Sequence, residues 1–177
     1  METEIDDKLP SNSSRRKAHR NEWAMEAGDA SSNCVFCEIA EGKEPASIVH
    51  SDNLCLSFLT LRQTRPGELL IIPREHIDHF CDLSDQVASH IIIQAQRISR
   101  AIMKALRPPR VGLVLHGFTI PHAHLIVVPQ HDVTDITSAR YAFIEDEVIN
   151  FDETRLPIVP RANLNALAER LRESLES

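Results

Sequence analysis

Apolar residues fall into short runs and periodic stripes along the chain, and their spacing predicts the main elements. Two apolar runs, 54–59 and 68–73, are bounded by polar or turn residues and are typical of strands. The second run is apolar almost throughout, which favours a central strand buried on both faces. The segments 111–115 and 122–129, separated by a His-Gly pair, predict a two-stranded return.

A longer apolar stripe recurs every three or four residues from 87 to 106 and predicts one long amphipathic helix. Ser84 is a suitable N-cap for this helix, and the pair Pro108-Pro109 ends it. The stripe consists of Val87, Ile91, Ala95, Ile98, Ile102 and Leu106. A second amphipathic helix is predicted near 162–175, with one side made of Leu164, Leu167, Leu171 and Leu175.

The order of these elements predicts an α+β fold with a mainly antiparallel sheet, one long helix and a C-terminal helix. The predicted domain covers residues 34–130. Residues 1–33 are polar and rich in Ser and Asn, which predicts an N-terminal arm outside the core. Residues 131–177 form a C-terminal extension that we expect to be irregular from 131 to 160, before the terminal helix.

Composition and charge narrow the classes of function. The 177 residues suit one domain, and 26 acidic against 19 basic residues give a net charge of -7. An acidic chain of this kind is not expected to bind nucleic acid, which requires a basic face. No apolar run approaches the roughly 18 residues of a membrane span, and no secretion signal opens the sequence. We therefore expect a cytoplasmic protein with no membrane partner. The five glycines form neither a P-loop nor a dinucleotide-binding motif.

The densest chemical signal is the segment 119–129, TIPHAHLIVVP. Side chains alternate between faces in an extended strand, so His122, His124 and Ile126 are predicted to share one face. Two imidazoles in an apolar strand are costly unless they are hydrogen-bonded or ligated. A neutral imidazole can attack phosphorus as a nucleophile, or it can bind zinc. Both chemistries are open at this point.

These residues resemble the histidine-triad (HIT) superfamily, whose motif is His-x-His-x-His followed by two apolar residues and often Pro. The segment 34–49, CVFCEIAEGKEPASIV, is similar to the opening of the zinc-containing branch, and 56–77 is similar to the central strand pair. The resemblance covers about 34–130 and implies a HIT-like fold. It also implies a nucleotide as the substrate.

The resemblance implies a role for each matching position. His124 matches the nucleophile, and His122 matches the histidine whose backbone carbonyl orients the nucleophilic ring. Thr119 matches a small hydroxyl residue near the phosphate. The nucleoside pocket is expected at Phe36, Ile39, Phe58, Leu59, Thr60 and Leu61, with His116 in the loop before the motif. The apolar members of this set are equally typical of an ordinary core.

Three positions depart from the family pattern. Ile126 stands in the place of the third histidine and cannot donate a hydrogen bond. Thr60 stands where many members have an Asp for the ribose hydroxyls, so a weaker nucleoside clamp is expected. The loop before the motif is also short, and His116 is the residue there that could partly substitute for it.

The pair Cys34 and Cys37 supplies two soft ligands, and a tetrahedral zinc site needs two more. The resemblance to the zinc-containing branch implies that these are His76 and His122, giving a closed structural site. An empty reduced dithiol is the alternative, and the rival ligands are His50, His79, Cys55 and Cys81.

The leading hypothesis is a nucleotide phosphohydrolase or nucleotidyltransferase that acts on nucleoside phosphoramidates or dinucleoside polyphosphates through a nucleotidyl-histidine intermediate. It would need no organic cofactor. A second hypothesis is a catalytically weakened module that binds a nucleotide or a protein partner. A third is a zinc-stabilised interaction domain with no affinity for nucleotides. The resemblance also implies a homodimer.

Overall fold

A computed structural model describes residues 34–115, 117, 120–136 and 140–177 of the chain. The arm predicted for 1–33 and the site positions His116 and Thr119 lie outside the described residues. Within the described part, the order of elements agrees with the α+β class predicted above.

Five strands form one antiparallel sheet in the order β1-β2-β3-β5-β4. The strands are β1 Ser47–Ser51, β2 Cys55–Leu59, β3 Leu69–Pro73, β4 Arg110–Leu115 and β5 Leu125–Gln130. β3 is the central strand, as its apolar run predicts, because a strand with neighbours on both sides buries most of its residues. β4 and β5 pair with each other, as the two-stranded return predicts. The predicted mainly antiparallel sheet is confirmed.

Three helices accompany the sheet: α1 Val35–Ala40, α2 Asp85–Leu106 and α3 Arg161–Glu176. Ser84 caps α2, as predicted, because its side chain accepts a hydrogen bond from the backbone N–H of Val87. None of the helices in the described part of the chain combines the length and the apolarity that a bilayer crossing requires.

The sheet separates two apolar clusters. The larger cluster packs under α2 and α3 and includes Leu59 and Leu125 together with Leu164 and Leu171. A smaller cluster on the other face unites α1 with alternate residues of β2 and β3. Its members are Cys34, Phe36, Cys37, Leu56, Phe58 and Ile72. Period-two alternation along β2 therefore sends Phe58 and Leu59 to opposite faces.

The strand predicted for 122–129 begins later than expected. β5 starts at Leu125, because the backbone N–H of His122 bonds to the Ile120 carbonyl and that of Ala123 bonds to the Ile77 carbonyl. These two N–H groups are therefore unavailable to the sheet. The predicted alternation nevertheless holds, since Ala123 lies in the cluster under α2 while His122 contacts the opposite face.

The segment 131–160 is not wholly irregular, so that prediction was wrong. It contains a hairpin of β6 Ala142–Glu145 and β7 Val148–Phe151. The two turn residues, Asp146 and Glu147, have φ values of 50° and 63°, which suit the twist of a tight hairpin. The sequence carries no Asn-Gly or Gly at this turn, so the usual hairpin signal is missing.

Because α3 packs into the main apolar cluster, removing one of its buried side chains should destabilise the protein. Leu171→Ala should lower the free energy of unfolding by about 2–5 kcal/mol, because Leu171 is completely buried between α3 and the sheet side of the core. Ile144→Ala, at a side chain that is 75% exposed in the hairpin, should change it by less than about 0.5 kcal/mol. Urea unfolding of both variants measures the difference. Equal losses would contradict the placement of α3.

Candidate functional site

Two histidines at the start of β5 form the centre of the site. The Nδ1 of His124 donates a hydrogen bond to the backbone carbonyl of His122 over 2.8 Å. A neutral imidazole that donates from Nδ1 carries its lone pair on Nε2. His124 is 7% exposed and lies just before the first residue of β5. An imidazole with its lone pair on Nε2 can act as a nucleophile.

The ring of His122 is fixed from its other side. Its Nε2 donates to the carbonyl of Pro73, at the end of β3, over 3.0 Å. The lone pair of His122 therefore lies on Nδ1, which faces the two cysteines of α1. Burial lowers the pKa of His122, which favours the neutral ring, although the hydrogen bond to Pro73 acts in the opposite direction.

Four donor atoms converge beside His122. The Sγ of Cys34 lies 3.5 Å from Nδ1 of His122, and the Sγ of Cys37 lies 3.6 Å from it and 3.2 Å from Nδ1 of His76. All four ligand atoms lie within 4.8 Å of one another. Tetrahedral zinc with ordinary bond lengths places a sulfur and a nitrogen about 3.6 Å apart. The donor set and its spacing therefore fit a Cys2His2 metal site.

Burial disfavours the deprotonated, thiolate form of Cys37 unless a cation lies beside it. Burial and the adjacent thiol of Cys34 raise the pKa of Cys37 to about 11. A pair of thiolates at neutral pH therefore requires a cation beside them to balance their charge.

Phe36 joins the cluster to the second histidine. Its ring meets His122 edge-on at a centroid distance of 5.7 Å and His124 at 5.4 Å. Phe36 lies between Cys34 and Cys37 on the segment that carries both thiols. Holding these cysteines in place therefore also holds Phe36 against the ring of His124.

The family can be assigned once this geometry is known. The HIT domain model matches residues 41–133. This range is more than half of the 177-residue chain. The chain belongs to the HIT domain family. The antiparallel sheet, the helix α2 and the paired histidines are the HIT fold as this chain builds it.

Relatives of this HIT protein include enzymes. The adenosine 5′-monophosphoramidase of Schizosaccharomyces pombe is 29% identical over 102 residues, which cover 55% of this chain and 74% of that protein. A HIT family hydrolase from Legionella pneumophila is 32% identical with a TM-score of 0.52, covering 58% of this chain and 96% of that one. A Zn-bound histidine triad family protein from Mycobacterium smegmatis is 25% identical with a TM-score of 0.62, covering 82% and 95%.

The expected nucleoside pocket is brought together only in part. Phe36, Phe58 and Ile39 lie in one cluster on the face of the sheet that α1 covers. Leu59 lies in the other cluster, under α2, and Leu61 is 46% exposed after the end of β2. Leu59 is thus separated from Phe58, which precedes it in sequence, because neighbouring strand residues face opposite sides.

Two of the residues that depart from the HIT motif, Ile126 and Thr60, have defined contacts in the structure. Ile126 pairs with Leu70 of β3 and Val114 of β4, in the middle of the sheet. The hydroxyl of Thr60 donates to the backbone carbonyls of Arg62 and Glu68 at 3.2 and 3.3 Å. Thr60 therefore braces the turn between β2 and β3 with its only hydroxyl.

A cleft of about 150 Å³ opens beside the ring of His124. Asp78 and Phe80 of this cleft carry no recognisable sequence pattern, and His79 is marked in the sequence as a rival zinc ligand rather than as a residue beside His124. The cleft is lined by Asp78, His79, Phe80, Leu115, Gly117, Ala123 and His124.

The geometry predicts the tautomer of each histidine in this HIT domain. At about pH 8, nitrogen-detected NMR should show His124 protonated on Nδ1 and His122 protonated on Nε2, because each N–H donates to a backbone carbonyl. His124→Gln and His122→Gln assign the signals, and the exposed His131 serves as an internal control. Protonation of His124 on Nε2 would contradict the hydrogen bond to His122.

Proposed function

We propose that this HIT protein is a nucleotide phosphohydrolase or nucleotidyltransferase that acts on nucleoside phosphoramidates or dinucleoside polyphosphates. The observation that carries the proposal is the 2.8 Å hydrogen bond from Nδ1 of His124 to the His122 carbonyl. This bond directs the Nε2 lone pair of His124 away from the backbone and fixes the ring plane. The relation to an adenosine 5′-monophosphoramidase supports the choice of substrate class.

The proposed reaction has two steps. The Nε2 lone pair of His124 attacks the α-phosphorus and forms a P–N bond, while the bond to the leaving amine or phosphate breaks. The leaving group takes the electron pair, and an amine also takes a proton from solvent. Water then attacks phosphorus and gives up a proton to solvent, the P–Nε2 bond breaks with its electron pair returning to Nε2, and a nucleoside monophosphate is released. Thr119 is the proposed hydroxyl donor to the phosphoryl oxygens, a role that the resemblance to the family implies.

The apolar face beside His124 suits a nucleoside base. Phe36 and Phe58 pack edge-on at 5.7 Å, with Ile39 against them. An apolar wall with aromatic edges binds a flat base through contact area, without a charged partner. We assign base binding to these residues, with Leu61 after the end of β2 as an exposed neighbour. Roles for Thr60 and His116 are proposed from the resemblance to the family alone, and Leu59, in the cluster under α2, is not part of this face.

His124→Ala should lower the hydrolysis of adenosine 5′-phosphoramidate by about 10³-fold or more, because the attacking atom is lost. Quenched reactions of the parent protein should contain an acid-labile nucleotidyl adduct by intact-mass analysis, and His124→Ala should contain none. The matched control is His131→Ala, at an exposed histidine outside the site, and it should retain the parent rate. Turnover that persists in His124→Ala would exclude the proposed nucleophile.

A nucleotide-binding module is the second candidate function, and the setting of two residues favours it. Ile126 has no hydrogen-bonding group, and the hydroxyl of Thr60 is engaged by backbone carbonyls. Binding of adenosine monophosphate with no turnover and no adduct in the parent protein would select this function. The absence of both turnover and binding would leave the zinc-stabilised interaction domain.

We propose that the cluster of Cys34, Cys37, His76 and His122 holds a structural zinc ion. The donor types and spacings fit this ion, and a related histidine triad protein is Zn-bound. When bound, zinc cross-links α1 to the sheet and takes no part in the reaction. Its effect on His124 passes through His122, whose ring would be a ligand and whose carbonyl accepts from His124.

Cys37→Ser should bind one equivalent of zinc less than the parent protein. It should also lower the melting temperature by about 5 °C or more, because loss of the cross-link costs several kcal/mol and each kcal/mol shifts a domain of this size by about 2–4 °C. Elemental analysis and thermal unfolding measure the two effects. Cys81→Ser, at an exposed cysteine, is the control and should change neither. Equal zinc contents in the parent and Cys37→Ser would refute the site.

Two further predictions concern the protein as a whole. The resemblance to the family implies a homodimer and a nucleotide as the small-molecule partner. The acidic composition predicts no nucleic-acid partner, and the short apolar runs predict no membrane partner. A cytoplasmic location is proposed with them. These stay predictions.

A further inference from the structure

A second group of metal-binding side chains lies on the opposite face of the sheet from the Cys34 cluster. Its centre is Asp52, in the turn between β1 and β2. The Nε2 atoms of His50 and His90 lie 2.8 and 2.7 Å from the same oxygen, Oδ2 of Asp52. The Sγ of Cys55 lies 3.9 Å from that oxygen. The reaction proposed for His124 uses none of these residues.

The fold brings these residues together from four places in the chain. His50 lies near the end of β1, after a shift in the strand register that places it opposite Ser57 of β2. Cys55 opens β2 and belongs to the apolar cluster under α2, where it is completely buried. His90 comes from the second turn of α2. The group therefore joins the edge of the sheet to the long helix.

The other carboxylate oxygen of Asp52, Oδ1, stabilises the turn between β1 and β2. Oδ1 accepts the backbone N–H groups of Leu54 and Cys55, both at 2.9 Å. Asp52 could hold the turn with that oxygen alone. The convergence of two imidazoles and a thiol on Oδ2 is a separate feature that the turn does not require.

We propose that His50, Asp52 and Cys55 form a second metal site, for a zinc-like divalent transition ion, with His90 as its supporting residue. The three donor atoms lie within 4.8 Å of one another. Tetrahedral zinc spaces nitrogen from oxygen by about 3.4 Å and sulfur from oxygen by about 3.6 Å. The observed 2.8 and 3.9 Å lie on either side of these values, so small side-chain rotations are sufficient.

The donor types decide the class of ion. The set combines a borderline imidazole, a soft thiol and a hard carboxylate. The imidazole and the thiol suit zinc, cobalt or nickel rather than calcium or magnesium, and zinc also accepts a carboxylate ligand. His90 extends the site because its Nε2 is within hydrogen-bond distance of the carboxylate ligand. Residues in this position commonly orient a ligand and tune affinity by about 10–100-fold.

Zinc binding to the whole protein tests the proposal. The parent protein, dialysed against buffered zinc and measured by elemental analysis, should hold two equivalents per chain, one at each cluster. Asp52→Asn retains the Oδ1 acceptor of the turn while weakening the ligand. Asp52→Asn and His50→Gln should therefore each hold one equivalent, with the fold intact by circular dichroism.

Three further variants sharpen the test. His90→Gln should retain the second equivalent with about 10–100-fold weaker affinity, the effect expected of a supporting residue. His131→Gln, at an exposed histidine, should retain both equivalents. Cys37→Ser should lose the first equivalent and retain the second, so failure of one site is distinguishable from failure of the other.

Two results would overturn the proposal. One is a parent protein that binds a single equivalent, all of it lost in Cys37→Ser. The other is a second equivalent that survives in both Asp52→Asn and His50→Gln, which would place it elsewhere. In either case the group around Asp52 would be a hydrogen-bonded connection between β1 and α2.

Discussion

Complete burial of the His122 imidazole is the constraint on which the rest of the site depends. The ring has no access to water, so each nitrogen must find a protein partner or a ligand. Nε2 uses the carbonyl of Pro73, and Nδ1 turns to the cysteines of α1. The backbone at His122 is then fixed as well, and its carbonyl holds the ring of His124. One buried side chain thus connects the cluster of cysteines and His76 to the proposed nucleophile.

The two faces of the sheet differ in what packs against them. The face under α2 and α3 is packed mainly with aliphatic side chains. In the described part of the chain, the other face is covered by the six-residue helix α1, where Phe36 and Phe58 form a small wall and Phe36 meets the ring of His124. A short helix held by metal ligands can present such a wall without the large apolar interface that a long helix needs. This division explains why one face stabilises the fold and the other is proposed to bind a nucleotide.

Several features were predictable from the sequence because each depends on local physical rules. The stripe of α2 and its Ser84 cap follow from helical periodicity and from hydrogen bonding at a helix N-terminus. The β6–β7 hairpin was not predictable, because Asp146 and Glu147 adopt left-handed conformations without the glycine that usually marks them. The late start of β5 was also hidden, since it depends on a hydrogen bond between Ala123 and the distant Ile77.

The sequence by itself determined the α+β class, the antiparallel strands and the pair of histidines in an apolar segment, because periodicity and motif spacing are properties of neighbouring residues. Only the tertiary structure decided that the ligand atoms of Cys34, Cys37, His76 and His122 lie within 4.8 Å of one another. It alone brought His90 of α2 to Asp52. Contacts between residues 38 or more positions apart depend on how helices and strands pack, and packing is settled by the burial of whole faces rather than by any local pattern.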